Sequence, residues 1–363
     1  MKHLRIGSTS GKARAGTLIL EHGKVSTPFF MPVATKGSVK LLSNEEVEST
    51  NTECLISNAF ILHMKPGLEV IEKFGGLNRF MGWKKGLFTD SGGFQVLSEK
   101  FMLSLTNEGV YFRNPFTGKK MLFTPETSIK IQNSLGSDVA MCLDDVPRAG
   151  DPKKRVEEAV ERTFLWAGRC KEAHSNRGQL LFGIAQGGVD RKLREKSTNQ
   201  IIGLGFDGIA LGGLAIGEPK KKMLEAIETS IPLLPEEKPR YLMGVGSPED
   251  LIKAVSLGID CFDSRMPTMN ARHGTVFTES GNLNIDSSMN RLDPRPIGKN
   301  CGCFVCRDYS RAYLHHLFRT KEENALKYMS YHNLFFIQNM MNRIRESIQE
   351  GKFEKEFMGG VKR

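Results

Sequence analysis

Several carboxylates stand where apolar runs of the sequence end. Asp90 follows the run in GLFTDSGG, Asp263 lies in CFDSRMP, and Asp144 and Asp145 close DVAMCLDD. A single Asp in such a place is usually a turn or helix-capping residue. Two carboxylates that face one pocket could instead do glycosyl chemistry, in which one attacks an anomeric carbon and the other moves a proton. Spacing alone leaves these two roles interchangeable between Asp90 and Asp263.

Glycines and polar side chains accompany the acids at other run ends. Gln186 lies in GIAQGGV, and the glycines of LGGLAIGE follow the next run. Glycines let the backbone approach a flat ligand and present its N–H and C=O groups, and Phe94 offers a face for stacking. The sequence therefore predicts a pocket for a planar, polar ring.

Three of the seven cysteines lie in one short stretch, as Cys301, Cys303 and Cys306. The odd total and the lack of a secretory signal argue against a disulfide framework and for a metal. His332 can complete a closed Cys3His set for structural Zn²⁺. An iron–sulfur cluster, whose usual cysteine spacing differs, and three free thiols are the alternatives. Other histidines compete as the fourth ligand: His174, His273, His315 and His316.

Eight apolar runs could supply the strands that position these residues. They begin at Phe29, Cys54, Gly86, Asp138, Leu180, Gly208, Arg240 and Cys261. Most end in Gly, Pro, Asp or Asn, as buried parallel strands do, and amphipathic segments lie between them. The alternation predicts an α/β fold, a (β/α)8 TIM barrel with extra segments near residues 60–85 and 95–125. A doubly wound open sheet is the alternative.

Helix start and stop signals predict several boundaries. SNEEVES opens with Ser43 or Asn44 as cap, and TPETSIKIQNSLG has Pro125 in its first turn. A long periodic helix follows, with Asp151 as its cap and Pro152 at its first position.

The alternation stops near residue 270. Residues 270–311 are rich in Asn, Arg, Gly and Pro, and a helical pattern follows the cysteine cluster. That pattern carries an apolar stripe typical of core or of a subunit contact: Leu334, Ile337, Met341, Ile344 and Ile348. We expect residues 1–270 to form the catalytic barrel. Residues 271–363 are expected to form a zinc-binding subdomain with C-terminal helices packed on the barrel.

The composition, 39% hydrophobic and 25% charged, is that of a soluble globular protein. No apolar run approaches the length of a membrane span, so we expect a cytoplasmic protein without a membrane partner. The net charge of +10 favours an anionic partner without naming one.

The ordered set of motifs resembles the tRNA-guanine transglycosylase (queuine tRNA-ribosyltransferase) family, bacterial type. The motifs are TDSGGFQ, LFGIAQGGV, LGGLAIGE, YLMGVGSPEDL, FDSRMPT and CGCFVC with His332, from about Phe29 to about Ile348. The resemblance implies a (β/α)8 barrel, one structural Zn²⁺ on Cys301, Cys303, Cys306 and His332, and a homodimer. It also implies an enzyme of queuosine biosynthesis. Such an enzyme replaces guanine at the wobble position of GUN-anticodon tRNA by a 7-deazaguanine base.

The resemblance assigns roles as well. Asp263 would attack C1′ of the target guanosine and form a covalent tRNA–enzyme intermediate, and Asp90 would take the N9 proton of the incoming base. The base would be held by Ser91, Gly92, Gly93, Phe94, Asp144, Gln186, Gly213, Leu214 and Met243. The anticodon loop would contact Gly244, Val245, Gly246, Ser247, Pro248, Glu249 and Asp250, and then Thr268, Met269, Asn270, Ala271 and Arg272. The target base must leave the loop's stack, which is easier in single-stranded RNA than in a duplex.

Two positions depart from the pattern of the family near the nucleophile. Ser264 and Met269 stand where members commonly carry Cys and Arg. Met269 removes a cation that could bind a phosphate or an anticodon base, for which Arg265 or Arg272 could compensate.

Two further positions bear on the incoming base. Val146 resembles the eukaryotic branch, which uses queuine, whereas Ile216 fits a smaller pocket and preQ1, 7-aminomethyl-7-deazaguanine. A bulky side chain excludes the cyclopentene of queuine, while Val for Cys hardly changes the volume, so we expect preQ1.

Three alternatives remain: queuine as the incoming base, a non-catalytic tRNA-binding partner subunit, and a carbohydrate-active barrel hydrolase. The presence of both Asp90 and Asp263 argues against the silent subunit.

Overall fold

The computed structural model describes residues 3–93, 102–114 and 117–359. Its strands group into four sheets. In chain order they are β1 Leu4–Ser10, β2 Ala13–Leu20, β3 Gly23–Thr27, β4 Phe29–Pro32, β5 Cys54–Asn58, β6 Gly86–Asp90, β7 Met102–Leu105, β8 Val110–Arg113, β9 Lys120–Phe123, β10 Val139–Met141, β11 Leu180–Ala185, β12 Gly208–Leu211, β13 Arg240–Leu242, β14 Cys261–Ser264, β15 Thr275–Thr278 and β16 Gly281–Asn284.

The central sheet is a parallel barrel of eight strands. Its order is β4-β14-β13-β12-β11-β10-β6-β5, and a parallel bridge between Val33 and Ile56 joins β4 to β5. The N–H of Ala34 donates to the carbonyl of Ile56 across 2.7 Å at the same seam. The eight apolar runs are therefore confirmed as strands, and the closed ring rules out the open doubly wound sheet.

The barrel interior is filled by side chains from alternate strand positions. They include Phe88, Phe182 and Tyr241, whose rings meet edge to face. The antiparallel sheet β1-β2-β3 adds Leu18 and Val25 to this cluster and so covers the end at which the strands begin. The opposite end, where the strands finish, is left for the loops that carry the predicted site.

Helices pack around the barrel and extend beyond it. In chain order they are α1 Asn44–Ser49, α2 Ala59–Met64, α3 Leu68–Lys73, α4 Leu77–Met81, α5 Pro125–Leu135, α6 Lys153–Ala173, α7 Arg191–Gly203, α8 Lys220–Ser230, α9 Pro248–Ser256, α10 Met266–Arg272, α11 Phe304–Asp308, α12 Arg311–Arg319 and α13 Glu323–Gln349. Short 3-10 turns cover Ile231–Leu233 and Ser288–Asn290, and a π-helical turn covers Glu354–Met358. Among the described residues, no helix combines the length and the apolar content that crossing a bilayer requires.

The helix boundaries follow the sequence signals with one exception. Ser43 caps α1 in a capping box with Glu46, and Thr124 caps α5 directly before Pro125. The prediction for α6 is wrong at both positions: the helix begins at Lys153, so Pro152 precedes it and is not its first residue, and Asp151 does not cap it. The Asp151 carboxylate instead accepts the N–H of Arg148 at 2.8 Å, within the turn that precedes the helix.

The long helix α13 joins the C-terminal region to the barrel. The apolar stripe is core, since every member is at most 1% exposed: Leu334, Ile337, Met341, Ile344 and Ile348. Gln338, on the same helix, donates to the carbonyl of Phe30 in β4 at 3.0 Å. The division at residues 270 and 271 stays a prediction, and α13 contacts the barrel from the C-terminal side of that boundary.

Candidate active site

Asp90 is the last residue of β6 and faces the mouth of the barrel. In the parallel register Asp90 lies beside Asn58, the last residue of β5, and Asn58 donates its side-chain N–H to Asp90 Oδ2 at 2.9 Å. The backbone N–H of Gly92 donates to Oδ1 at 3.1 Å. Asn58 also caps α2 by accepting the N–H of Ile61, which fixes its amide in the orientation that faces Asp90.

The environment of Asp90 favours its neutral form. Burial raises the pKa of Asp90 to about 7, the hydrogen bond from Asn58 opposes this, and the charge of Asp263 raises it further. Two carboxylates at one mouth disfavour each other's ionisation. A carboxyl that titrates near neutrality can both accept and release a proton at physiological pH.

Asp263 lies in β14 and is held by two donors. The hydroxyl of Tyr241 donates to Oδ1 at 2.6 Å, and the N–H of Gly244 donates to the same oxygen at 2.9 Å. Burial raises the pKa of Asp263, while these two hydrogen bonds lower it. Since both donors bind Oδ1, the second oxygen is not engaged by them.

A tight turn follows Asp90. Gly92 has φ of 78°, and a side chain there would overlap Phe60. Ser91 is buried, and its hydroxyl accepts the N–H of Gly93 at 3.2 Å. These residues shape the turn that presents Asp90. The predicted stacking residue Phe94 lies outside the described residues.

Asp144 and Gln186 form a polar pair on the neighbouring strand ends. Gln186 donates its side-chain N–H to Asp144 Oδ2 at 2.6 Å, and both residues are buried. Gln186 Oε1 is buried without a hydrogen-bond partner among the described residues. Burial raises the pKa of Asp144 to about 7, Gln186 lowers it, and the charge of Asp145 raises it. The pair thus presents an acceptor that lacks a donor.

The loop after β12 brings backbone against this pair. Gly213 has φ of 66°, and a side chain there would overlap Gln186 Oε1, so glycine is required. The side chain of Leu214 is buried. Met243, directly after β13, is half-buried and packs on the cluster inside the barrel. A planar ligand beside Gln186 would lie in the same barrel mouth as the Met243 thioether.

Asp145 is a buried acidic residue directly after Asp144. It is fully buried and binds the guanidinium groups of Arg155 and Arg162, and its own N–H donates to Thr163 at 3.0 Å. Both arginines and Thr163 belong to α6. Asp145 therefore anchors the loop that carries Asp144 to this helix.

Glu218 shapes the outer part of the β12 loop. Its carboxylate accepts the N–H of Ala215 and, at 3.0 Å, the N–H of Ile216. Ala215 has φ of 59°, a conformation that costs energy for any residue with a side chain. The half-buried Ile216 is thereby held in a fixed turn.

The first predicted RNA segment, residues 244–250, leads from β13 into α9. Gly244 is exposed and contacts Asp263, whereas Val245 and Gly246 are buried. Ser247 caps α9, directly before Pro248. Two acids of the first turn bind lysines: Glu249 pairs with Lys253 at 2.6 Å and Asp250 with Lys220 at 3.0 Å.

The second predicted RNA segment, residues 268–272, lies on α10. Thr268, Met269, Asn270 and Arg272 are half-buried, whereas Ala271 is fully buried. Burial lowers the pKa of Arg272, and the charge of Arg265 lowers it further. Since no part of Ala271 is exposed, this residue is not accessible to a ligand in this structure.

The cysteine cluster and His332 come together as predicted. The ligand atoms of Cys301, Cys303, Cys306 and His332 lie within 4.8 Å of one another, with His332 Nδ1 at 3.8, 3.5 and 3.3 Å from the three sulfurs. His332 Nε2 lies 2.8 Å from the carbonyl of Phe277, and donation to it leaves Nδ1 unprotonated. The cluster could hold a metal ion.

Three of the other candidate histidines contact different groups. His174 lies at 3.3 Å from Gln179, His273 at 2.8 Å from the carbonyl of Met269, and His315 at 2.8 Å from the carbonyl of Ile285. Among the described residues, His332 is the histidine of the cluster. Three thiolates and one imidazole are the donor set of a closed tetrahedral Zn²⁺ site.

Sequence reasoning missed Asn58, Tyr241 and the structural role of Asp145. Asn58 in SNAF carries a cap signal before a helix, which could have marked it as polar at a strand end. Tyr241 in RYLMGVG reads as an apolar strand residue, since nothing local indicates a carboxylate partner. Asp145 directly follows Asp144, and the basic residues of the next helix were the available signal.

Comparisons with known proteins agree on one family. A family model described as queuine tRNA-ribosyltransferase matches residues 9–359. The chain is similar to the queuine tRNA-ribosyltransferase of Thermotoga neapolitana, with 48% identity over 354 residues, 98% of this chain and 95% of that protein. It is also similar to the proteins of the same name from Halothermothrix orenii, 45% identical over 96% of this chain and 94% of that protein, and from Idiomarina loihiensis, 45% identical over 97% and 95%.

Proposed function

The chain belongs to the queuine tRNA-ribosyltransferase family and is a tRNA-guanine transglycosylase of queuosine biosynthesis, and from this premise we propose how it works and which base it inserts. It replaces guanine at the wobble position of GUN-anticodon tRNA by preQ1. The reaction passes through a covalent bond between Asp263 and ribose C1′. Queuine as the incoming base is the alternative.

The unequal support of the two acids carries this proposal. Both donors of Asp263, Tyr241 and Gly244, bind Oδ1 and leave Oδ2 for attack. The two donors of Asp90 bind one oxygen each, so neither of its oxygens is left without one. Asp90 has a pKa near 7, raised chiefly by burial, which suits a group that exchanges protons. The physical difference therefore favours Asp263 as nucleophile and Asp90 as base.

Two displacements follow from these roles. In the first, Asp263 Oδ2 bonds to C1′, and the bond from C1′ to guanine N9 breaks, with its electron pair leaving on the base. Protonated Asp90 gives its proton to the departing base, so guanine leaves neutral and Asp90 becomes the carboxylate that the second step needs. In the second, the incoming base gives its N9 proton to Asp90, N9 attacks C1′, and the bond to Asp263 breaks. The nucleophile returns as a carboxylate, and the ribose keeps its original configuration after two inversions.

The polar pair supports recognition of a guanine-like edge. Such an edge offers N1–H and N2–H donors and the O6 acceptor. Asp144 and the unpartnered Gln186 Oε1 are acceptors, and the backbone N–H groups of Gly213 and Leu214 are donors. Met243 would lie against one face of the ring, and Phe94 is proposed for the other.

The choice of preQ1 is supported by Ile216. Glu218 accepts the backbone N–H of this half-buried residue, which restricts movement of the turn that bears the isoleucine side chain. The aminomethyl group of preQ1 is small, whereas the cyclopentene of queuine needs the volume beside position 7.

RNA contact is proposed for residues 244–250 and 268–272, which flank Asp263 on both sides. Met269 offers no charge there, but the neighbouring guanidinium groups of Arg265 and Arg272 can bind phosphate or a base. The net charge of +10 is consistent with a polyanionic substrate.

A structural Zn²⁺ is proposed for Cys301, Cys303, Cys306 and His332. When bound, the ion would cross-link α11 and its preceding loop to α13 and supply no catalytic chemistry. His332 would ligate through Nδ1, because Nε2 is engaged by Phe277.

A cytoplasmic homodimer is proposed as well. The apolar stripe of α13 is buried within the chain and is not available for a partner. Exposed apolar side chains of the C-terminal region, Met289, Leu292 and Tyr313, are better candidates for the contact. The tRNA substrate supports the cytoplasm as the compartment.

The test combines exchange and trapping. Labelled preQ1 and labelled queuine are offered separately to GUN-anticodon tRNA, and we expect incorporation of preQ1 in clear excess. A tRNA–protein adduct that resists denaturation should form with the wild-type chain and be absent for Asp263→Asn. Equal incorporation of queuine would contradict the proposed preference for preQ1. An adduct with Asp263→Asn would contradict the assignment of Asp263 as nucleophile.

A further inference from the structure

Arg194 is a fully buried arginine that binds main-chain carbonyls. From α7 its Nη1 donates to the carbonyl of Ala185 at 2.9 Å, and its Nη2 donates to those of Gly188 and Gly212 at 2.7 and 3.1 Å. Its Nε also contacts the carbonyl of Gly188, at 3.3 Å. One guanidinium thus joins the loop after β11 to the loop after β12.

These two loops carry the groups proposed to read the base. Gln186 lies between Ala185 and Gly188, and Gly213 directly follows Gly212. One turn along α7, the hydroxyl of Ser197 accepts the N–H of Gln186 at 2.8 Å. The same face of α7 therefore fixes the main chain on both sides of Gln186.

The bond to Gly212 also orients a donor. A trans peptide places its C=O and its N–H on opposite sides, so turning the Gly212 carbonyl to Arg194 turns the Gly213 N–H away from it. That N–H belongs to the residue packed against Gln186 Oε1. The acceptor of Gln186 and the donor of Gly213 are consequently set relative to each other through Arg194.

We propose that Arg194 is a positioning residue for base recognition, which holds Gln186 and the Gly213 N–H at the separation that a guanine-like edge requires. This inference rests on the proposed function. Only arginine has a rigid fork of donors that can bind three carbonyls at once, since the ammonium of lysine is a single point.

The burial of Arg194 has an energetic cost that a purely packing role would avoid. Burial lowers the pKa of Arg194 to about 10, so the group stays charged at neutral pH, and the charge of Glu218 opposes the shift. A charge away from water is unfavourable unless its hydrogen bonds are satisfied. Here they are satisfied by the two loops that line the base site.

The experiment measures guanine exchange into tRNA with Arg194→Lys and Arg194→Met. We expect the KM for labelled guanine to rise about 10-fold or more in Arg194→Met and less in Arg194→Lys, since well-oriented hydrogen bonds are lost. The KM for tRNA should stay within about 2-fold of wild type, because the RNA segments lie on other loops. A second variant, Ser197→Ala, should raise the KM for guanine in the same direction.

Arg240→Lys is the matched control. Arg240 is 7% exposed and also binds carbonyls, those of Leu234 and Gly258 at 3.2 and 3.5 Å, but it lies where β13 begins. We expect this variant to lower the thermal midpoint without changing the KM for guanine. A lower midpoint with unchanged KM for guanine in the Arg194 and Ser197 variants too would overturn the inference. Lack of exchange by the wild-type chain would instead contradict the proposed function.

Discussion

The hydroxyl of Tyr241 donates to Asp263 Oδ1 at 2.6 Å from inside the barrel. Tyr241 is fully buried, and burial followed by the charge of Asp263 raises its pKa well above the usual range for tyrosine. The phenol therefore remains protonated, and a hydrogen-bond donor, at neutral pH. The proposed nucleophile is therefore held by a hydrogen-bond donor from the barrel core.

Replacing Tyr241 by Phe should slow the covalent step. The ring keeps its edge-to-face contact with Phe88, but one charge-assisted hydrogen bond is lost, and we expect adduct formation about 10-fold slower. The pKa of Asp263 should rise, since the hydrogen bond lowers it. Single-turnover adduct formation between pH 5 and about 8 measures both effects. An unchanged rate across this range would show that the hydroxyl is dispensable.

The pH dependence of exchange should show an acid limb near neutrality. Asp90 and Asp144 both have a pKa of about 7, raised chiefly by burial, and both are proposed to act as carboxylates. The ratio kcat/KM for the incoming base should therefore fall as the pH drops below about 7. Asn58→Ser, which keeps a capping oxygen for α2 but loses reach to Asp90, should move this limb to higher pH. A limb near pH 4 in the wild type would contradict the burial argument.

Asp90→Asn should be inactive and yet more stable at alkaline pH. The folded protein binds the Asp90 proton more tightly than the unfolded chain, so its contribution is present below about pH 4 and is lost as the pH rises through about 7. At pH 8 we expect a gain of roughly 1–3 kcal/mol in the free energy of unfolding, which shrinks toward pH 5. Urea unfolding at several pH values measures it.

A control with the opposite sign is available in Asp293. Its hydrogen bond to Arg295 lowers its pKa, so Asp293→Asn should destabilise the protein at pH 8 and lose this effect in acid. If both variants changed stability in the same direction at pH 8, the assignment of the two environments would be wrong.

Only a substitution within the cysteine cluster should remove the proposed metal. Metal analysis should find about one Zn per wild-type chain and almost none in Cys303→Ala, with a lower unfolding midpoint in the variant. Cys54→Ala, which removes a buried thiol outside the cluster, should retain the metal. Retention of Zn by Cys303→Ala would exclude the Cys3His assignment.

Enlarging the pocket at Ile216 should change the choice of base. Ile216→Gly removes the side chain that is expected to exclude a cyclopentene, and we expect the preference for preQ1 over queuine to fall about 10-fold or more. Competition between the two labelled bases for one tRNA measures it. Glu218 can still accept the backbone N–H groups of the loop in this variant. The free energy of unfolding therefore serves as the control for an intact loop.

The barrel and the acids could be predicted because each depends on local signals. Apolar runs that end in Asp90, Asp144 and Asp263 indicate parallel strands, and parallel strands bring such ends to one mouth. The helix caps at Ser43 and Thr124 are local as well. The prediction for Asp151 failed because its carboxylate accepts the N–H of Arg148 in the preceding turn, a contact that the helix start signal does not reveal.

The supporting contacts could not be predicted from the sequence. Tyr241 reaches Asp263, and Asn58 reaches Asp90, only through the register of neighbouring strands. Arg194 acts on carbonyls, which carry no residue identity that a sequence pattern could reveal. His332 was one of several candidate ligands until α13 placed it against the cysteines.

The ring of strands is sealed by β4, the first barrel strand, which pairs with the last, β14, and bridges to β5. During translation β4 emerges early, while its partner β14 and then Gln338, which binds the β4 carbonyl of Phe30, emerge late. Until then the nascent chain carries an open apolar sheet edge, the kind of surface that pairs wrongly or recruits chaperones. The strand that bears Asp263 is thus also the strand whose pairing with β4 completes the ring, so closure of the barrel and placement of the nucleophile depend on the same pairing.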